Sequence, residues 1–208
     1  MNITEPWSIV FAVGFVLYAG TRHHFEQKLK GVESVERNLD GIEVTLLALV
    51  LSGNILAPVV YLFSPWFDRF DHPLPHLVGA SGAVVMAGSL WLFFRSHLEL
   101  DRPWSVTLEI RKDHRIVREG VYRRVRHPMY AAVFGIGIAQ ALLLSNWVAG
   151  PAALISFAPL YLVRVPREEA LMVAHFGDDY RDYMLETGRL FPRFTKRRPT
   201  PSSPPPPA

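Results

Sequence analysis

Residues 130–163 run for 34 positions without an Asp, Glu, Lys or Arg. A spanning helix needs about 20 mostly apolar residues to cross the hydrocarbon core of a bilayer, so this run is too long for one crossing. Ser145-Asn146-Trp147 and Gly150-Pro151 lie near its middle, where Gly and Pro mark a turn. The run therefore reads as a helical hairpin of two short or tilted spans, with Trp147 at the membrane interface. A hairpin of this kind returns the chain to the side it left. Whatever precedes residue 130 and follows residue 163 must share one face of the membrane.

Three further apolar runs occupy residues 7–20, 42–63 and 77–94. The second and third suit a full crossing and the first is slightly short. Together with the hairpin they predict an all-α fold, a polytopic membrane helix bundle of about five transmembrane helices with cytoplasmic amphipathic helices at the C-terminal end. The basic residues test this topology. If residues 20–41, 95–129 and the tail from 164 are the loops of one face, 21 of the 22 Lys and Arg lie there, and only Arg69 lies on the other. The positive-inside rule then puts the N-terminus outside and the C-terminus in the cytoplasm, as expected in the inner membrane of a bacterium. A cleaved signal peptide fits the first run poorly, because Glu5 rather than a basic residue precedes it and Thr21-Arg22-His23-His24 follows.

Three regions follow: N-terminal spans over residues 1–94, a region over 95–193 that carries the polar motifs, and a proline-rich tail over 194–208 that cannot form a core. The chain has no cysteine, which removes thiolate catalysis and cysteine-ligated metal. The formal charge of +3 does not argue for nucleic acid. In residues 168–191 a helical spacing of apolar positions is interrupted at Gly177, predicting one helix through or kinked at Pro166, a break, and a second short helix across the mouth of the bundle.

Two polar knots flank the hairpin. In the first, Pro128 fixes its own φ and drives His127 out of the helical region, so it starts a helix whose free N–H groups, beside Arg123, Arg124 and Arg126, suit a carboxylate or phosphate. A capped helix with snorkelling arginines would explain the arginines but not the histidine. In the second knot, Glu168-Glu169 favours a cation or the hydroxyls of a ribose. Adjacent helical residues point about 100° apart, so only one of the two faces a given pocket; a surface network with Arg167 or the loop arginines is the plainer alternative. Arg164 stands at the inner end of the last span. An arginine snorkels there by default, and it is also placed to hold the anionic head of a lipophilic molecule. His23, His24, His72, His76 and His97 are scattered without ligand spacing, so no metal is expected. A zwitterionic, nucleoside-bearing cofactor would fit between the knots.

The residues His114-Arg-Ile-Val117, Gly120-Val-Tyr122, Arg126-His-Pro-Met-Tyr130, Arg164, Glu168-Glu169, Phe176-Gly177, Tyr180 and Tyr183 resemble the isoprenylcysteine carboxyl methyltransferase family and its phospholipid methyltransferase relatives, over residues 95–193. The resemblance implies an integral membrane enzyme using S-adenosyl-L-methionine. It implies cofactor contacts from His114, Arg115, Ile116, Val117, Tyr122, His127, Pro128, Met129, Tyr130 and Glu168, and a catalytic Arg164 near the methyl acceptor. The cofactor would enter from the cytoplasm and a lipophilic or lipid-linked acceptor from the membrane lipid. A sulfonium methyl is already activated, so a carboxylate or thiolate acceptor needs alignment and exclusion of water rather than a strong base.

Two other readings compete. Membrane sterol reductases resemble the same C-terminal architecture and would place NADPH in the pocket; no glycine-rich dinucleotide loop is present, and the acid pair suits a cation better than a pyrophosphate. A non-catalytic membrane protein whose basic face binds anionic lipid explains the charge asymmetry but not the spaced Tyr, His-Pro and Glu residues.

Overall fold

The computed structural model describes residues 5–29, 41–100 and 116–193. Over these residues the chain is helical: α1 (Pro6–Leu29), α2 (Gly41–Phe63), α3 (His76–Leu100), α4 (Pro128–Leu143), α5 (Ala152–Phe176) and α6 (Asp178–Glu186). Among the described residues β pairing is confined to two isolated bridges, Asp71 with Asn146 and Val125 with Gly188. Helices α2 and α3 are each long and apolar enough to cross a membrane, and α4 is a shorter apolar helix.

The hairpin forms as expected, from α4, a turn at 144–151, and α5. Other boundaries differ. α1 does not end at Gly20 but continues to Leu29, and α3 continues from the apolar run to Leu100. Pairs one turn apart extend α1 beyond its apolar part, with Arg22 Nε 2.8 Å from Glu26 and Gln27 3.1 Å from His23. Arg22, Lys28 and Arg95, read as loop charges, therefore sit on helix ends. α5 runs unbroken through Pro159 and Pro166 and stops at Gly177, whose φ of 57° an L side chain rarely adopts.

The buried residues of α3, Gly79, Gly82, Met86, Ser89, Phe93 and Ser96, alternate spacings of three and four, the seam of a coiled-coil-like contact. Small residues let α4 approach closely: a Cβ on Gly135 would fall 2.2 Å from the Ser89 hydroxyl. Phe11, Tyr61, Leu62, Met86, Ile136 and Leu143 form the core between α1, α2, α3 and α4. Outside this core the helices are apolar too. Val13, Val16 and Leu17 on α1, Leu56 and Val59 on α2, Val84 and Trp91 on α3, and Ile155 and Leu162 on α5 are exposed. A helix apolar on its outer as well as its inner face is made for lipid rather than water.

The middle of α2 is a π turn over Ser52–Leu56. It carries Gly53 against α5, where a Cβ would lie 2.3 Å from the Ala152 carbonyl oxygen. The buried Gln140 side chain donates to the Gly53 carbonyl at 3.2 Å and to that of Ala149 at 2.7 Å. At one end of the bundle, Asn146 ties the hairpin turn to the loop before α3, donating to Phe67 O and Asp71 Oδ1 and accepting from the amides of Val148 and Ala149. Trp7 packs against Gly79 at this same end, while Phe25 meets His97 at the other. α1 and α3 therefore run parallel, and both polar knots lie at the end opposite the hairpin turn.

Candidate functional site

The first knot is held by α3 from one side. Gly120, with a φ of 56°, begins a short 3-10 turn (Gly120–Arg123), and the Glu99 carboxylate fills the space where its Cβ would be. That carboxylate accepts the Val121 amide at 2.5 Å and an ion pair from Arg95. Tyr122 is buried, its hydroxyl donating to Ser96 O at 3.2 Å. From the other side, the Tyr183 hydroxyl of α6 donates to Tyr122 O at 2.7 Å. Burial pushes the phenols of Tyr122, Tyr180 and Tyr183 up, so each remains a protonated donor.

A third segment, for which the sequence offered only Arg189 and Pro192 as a closing signal, completes the arrangement. Residues 187–189 run beside residues 124–127: Gly188 N donates to Arg124 O at 3.0 Å, Arg126 N to Gly188 O at 2.9 Å and His127 N to Arg189 O at 3.0 Å. The His127 amide at the start of α4 is thus bonded to protein rather than presented to an anion. Arg126, read as part of a cationic mouth, turns inward. Its Nη1 donates to the carbonyls of Met184 and Thr187 at the end of α6, and its Nε to Glu169 Oε1 at 2.7 Å.

Glu169 is the hub of this end, and sequence reasoning did not single it out from its neighbour. It accepts from Arg126, from His127 Nε2 at 3.2 Å and from Arg189, whose Nε lies 3.0 Å from Oε2. Its burial would raise its pKa, but the hydrogen bonds from His127, Arg189 and Arg126 override this and hold it down at about 2. An ionised carboxylate only accepts, so His127 Nε2 carries the proton in this contact.

Glu168, a step of 100° further round α5, belongs to a second and more open group. Its Oε1 accepts the Tyr130 hydroxyl at 2.7 Å and Arg164 Nε at 2.9 Å, and its Oε2 lies 3.8 Å from His127 Nδ1. Arg164 Nη1 lies 3.5 Å from Glu43 Oε1 on α2. The Glu168 side chain is 22% exposed against 5% for Glu169, so of the two acids only Glu168 can still meet a ligand. Below this group the rings of Tyr130, Phe134, Phe157 and Tyr161 stand edge to face, with centroids 5.0 to 5.9 Å apart. Phe157, Tyr161, Arg164 and Glu168 follow at spacings of four, three and four, which puts them on one face of α5. That face grades from aromatic to charged.

Of the residues expected at a site, the structure brings together His127, Pro128, Tyr130, Arg164 and Glu168. Met129 shares the first turn of α4, and Ile116 and Val117 are half-buried on the approach to Gly120. The Tyr122 hydroxyl is committed to Ser96. His114 and Arg115 lie outside the described residues. The sequence reading missed Glu43, because it stands alone in an apolar run of the N-terminal half, and Arg189, which only tertiary pairing brings to Glu169.

Residues 80–174 match the family model described as the isoprenylcysteine carboxyl methyltransferase (ICMT) family. The protein-S-isoprenylcysteine O-methyltransferase of Schizosaccharomyces pombe is 33% identical over 103 residues, which cover 50% of this chain and 39% of that protein. The enzyme of the same name from Tribolium castaneum is 32% identical over 110 residues, 53% of this chain and 35% of its own length. The chain thus spans between a third and two fifths of the length of these two relatives. A probable protein-S-isoprenylcysteine O-methyltransferase of Oryza sativa subsp. indica is 26% identical over 86% of this chain and 91% of its own. Among solved structures, that of a eukaryotic intramembrane Ras methyltransferase, ICMT, superposes with a TM-score of 0.59 at 20% identity, over 92% of this chain and 69% of that one. The last likeness carries the fold, an all-helical membrane architecture. These relatives lend nothing to the reductase reading.

Proposed function

From the membership of residues 80–174 in the isoprenylcysteine carboxyl methyltransferase family, we propose that this chain is an integral membrane enzyme that moves a methyl group from S-adenosyl-L-methionine to the carboxylate of a lipophilic, isoprenylcysteine-like acceptor. The observation that carries the reading is the meeting of His127, Tyr130, Arg164 and Glu168 at the end of an aromatic stripe on α5. In this reading the chain crosses the membrane five times and presents that end to the cytoplasm, since nearly all of its basic residues fall there.

The residues fit the cofactor. A dipolar nucleoside needs an anionic oxygen for its ammonium or ribose hydroxyls and a donor for its carboxylate. Glu168 supplies the first and remains partly exposed; His127 and Tyr130 supply the second. Ile116, Val117, Pro128 and Met129 line the approach, with Tyr122 behind them and His114 and Arg115 preceding them in the chain. When bound, the cofactor supplies a sulfonium methyl activated for direct displacement. Arg164 holds the acceptor's carboxylate while Tyr130 and Glu168 fix the guanidinium. A carboxylic acid is ionised near neutral pH, so no proton has to be removed and no base is required. The aromatic stripe keeps water from the reacting end.

The test is incubation of the purified protein with methyl-labelled cofactor and a prenylated cysteine acid, followed by detection of a base-labile methyl ester. Arg164→Lys, which loses the planar fork, is expected to lower kcat/KM for the acceptor by about 100-fold. Absence of methyl transfer by the unmodified protein, or tighter binding of NADPH than of S-adenosyl-L-methionine, overturns the proposal.

A further inference from the structure

Arg164 faces two carboxylates, and they hold it differently. The Glu168 side is fixed: Oε1 takes both Arg164 Nε at 2.9 Å and the Tyr130 hydroxyl at 2.7 Å, locking three side chains from α4 and α5. The Glu43 side is loose, an ion pair at 3.5 Å, beyond the usual hydrogen-bond range. Glu43 lies outside the stretch that matches the family.

The helix carrying Glu43 is also weakly held at this end. No residue of Gly41–Leu51 is buried, and Ile42, Val44 and Leu49 are all exposed. α2 becomes tightly seated only at the π turn, where Gly53 meets Ser156 and Gln140. The segment bearing Glu43 therefore leans on α5 along a seam open to lipid, with the Arg164 pair as its polar contact. A lipophilic acid entering that seam would meet the rings of Phe157 and Tyr161 with its tail, and Arg164 with its carboxylate.

We infer that Glu43 occupies the place on Arg164 that the acceptor's carboxylate takes during turnover, and that exchange of one carboxylate for the other opens the α2–α5 seam. This rests on the methyl-transfer reading. The groups facing the guanidinium are Glu43 from α2, Tyr130 from α4 and Glu168 from α5. Of these only Glu43 is replaceable without dismantling the Tyr130–Glu168 pair. The exchange also sets specificity. An acceptor with a neutral or cationic head cannot compete for Arg164, so Glu43 admits anionic heads.

The test compares steady-state kinetics of the full chain with Glu43→Gln. Removing the competing charge is expected to lower the acceptor KM by about three- to tenfold, the worth of one partly exposed ion pair, with the cofactor KM unchanged. Glu43→Asp keeps the charge on a shorter arm and is expected to shift KM the same way by less, which covers the case in which Glu43→Gln fails to fold. An acceptor KM that stays constant or rises in these variants, while the unmodified protein methylates, overturns the inference: Glu43 would then position Arg164 rather than yield to the acceptor. An unmodified protein that transfers no methyl group instead overturns the methyl-transfer reading.

Discussion

Replacing Glu169 with glutamine keeps its size and removes its charge. In the native protein this carboxylate is 5% exposed and faces Arg126, whose side chain is 10% exposed, together with His127 and Arg189. Taking one member from a buried ion pair leaves the other charge uncompensated, at a cost of roughly 3–5 kcal/mol. The titration of Glu169 gives an independent figure. Its carboxyl is held from 4.5 down to about 2, which at 1.36 kcal/mol per unit corresponds to about 3 kcal/mol. The two agree. For a chain of this size the variant is expected to melt about 6–12 °C lower at neutral pH. The pH dependence has a definite sign. Because the folded pKa is depressed, the contribution is present above 4.5 and is lost as pH falls toward 2. Detergent-solubilised protein, melted in steps from pH 7 to pH 3 and followed by near-ultraviolet circular dichroism, should lose stability through that window, and Glu169→Gln should show a flatter profile. A melting temperature lowered by less than about 2 °C, or an acid profile unchanged by the substitution, would refute the assignment of Glu169 as the hub of this end.

Further outcomes follow from other contacts. Gly53→Ala drives a methyl to 2.3 Å from the Ala152 carbonyl oxygen, an overpacking of about 1–3 kcal/mol that a thermal melt would register. Asn146→Ala leaves the amides of Val148 and Ala149 and the carbonyl of Phe67 without their partner. A loss of about 1–3 kcal/mol is expected, with KM for both substrates unchanged, because the corner lies at the opposite end from the polar knots.

Several elements were legible in the chain itself. The uncharged run over residues 130–163 and the turn residues inside it required a hairpin, because a run of that length has no other way to fit a bilayer. Pro128 marked the start of α4 and Gly177 the break after α5, each for a local backbone reason. The boundaries misread were those of α1 and α3, where the apolar pattern ends before the helix does. Hydropathy reports where lipid stops, whereas pairs such as Arg22 with Glu26 carry the helix beyond it. At the site, periodicity put Arg164 and Glu168 on one face of α5, one turn apart. It did not show that Glu169 would gather Arg126, His127 and Arg189, nor that Arg126 would point inward rather than toward a ligand.

What the sequence determined on its own was parity and periodicity: the number of apolar runs decides which ends of the chain share a face, and the 3.6-residue repeat decides which side chains share a stripe. Both are properties of one chain followed along its length. The tertiary structure decided which stripe met which. It set Glu43 from the N-terminal half against Arg164, Gly188 beside Arg124, and the two neighbouring acids in different surroundings, one buried among cations and one open. Spacing along a helix gives the direction a side chain leaves the axis, but the partner waiting there comes from a segment whose position depends on the packing of all the others.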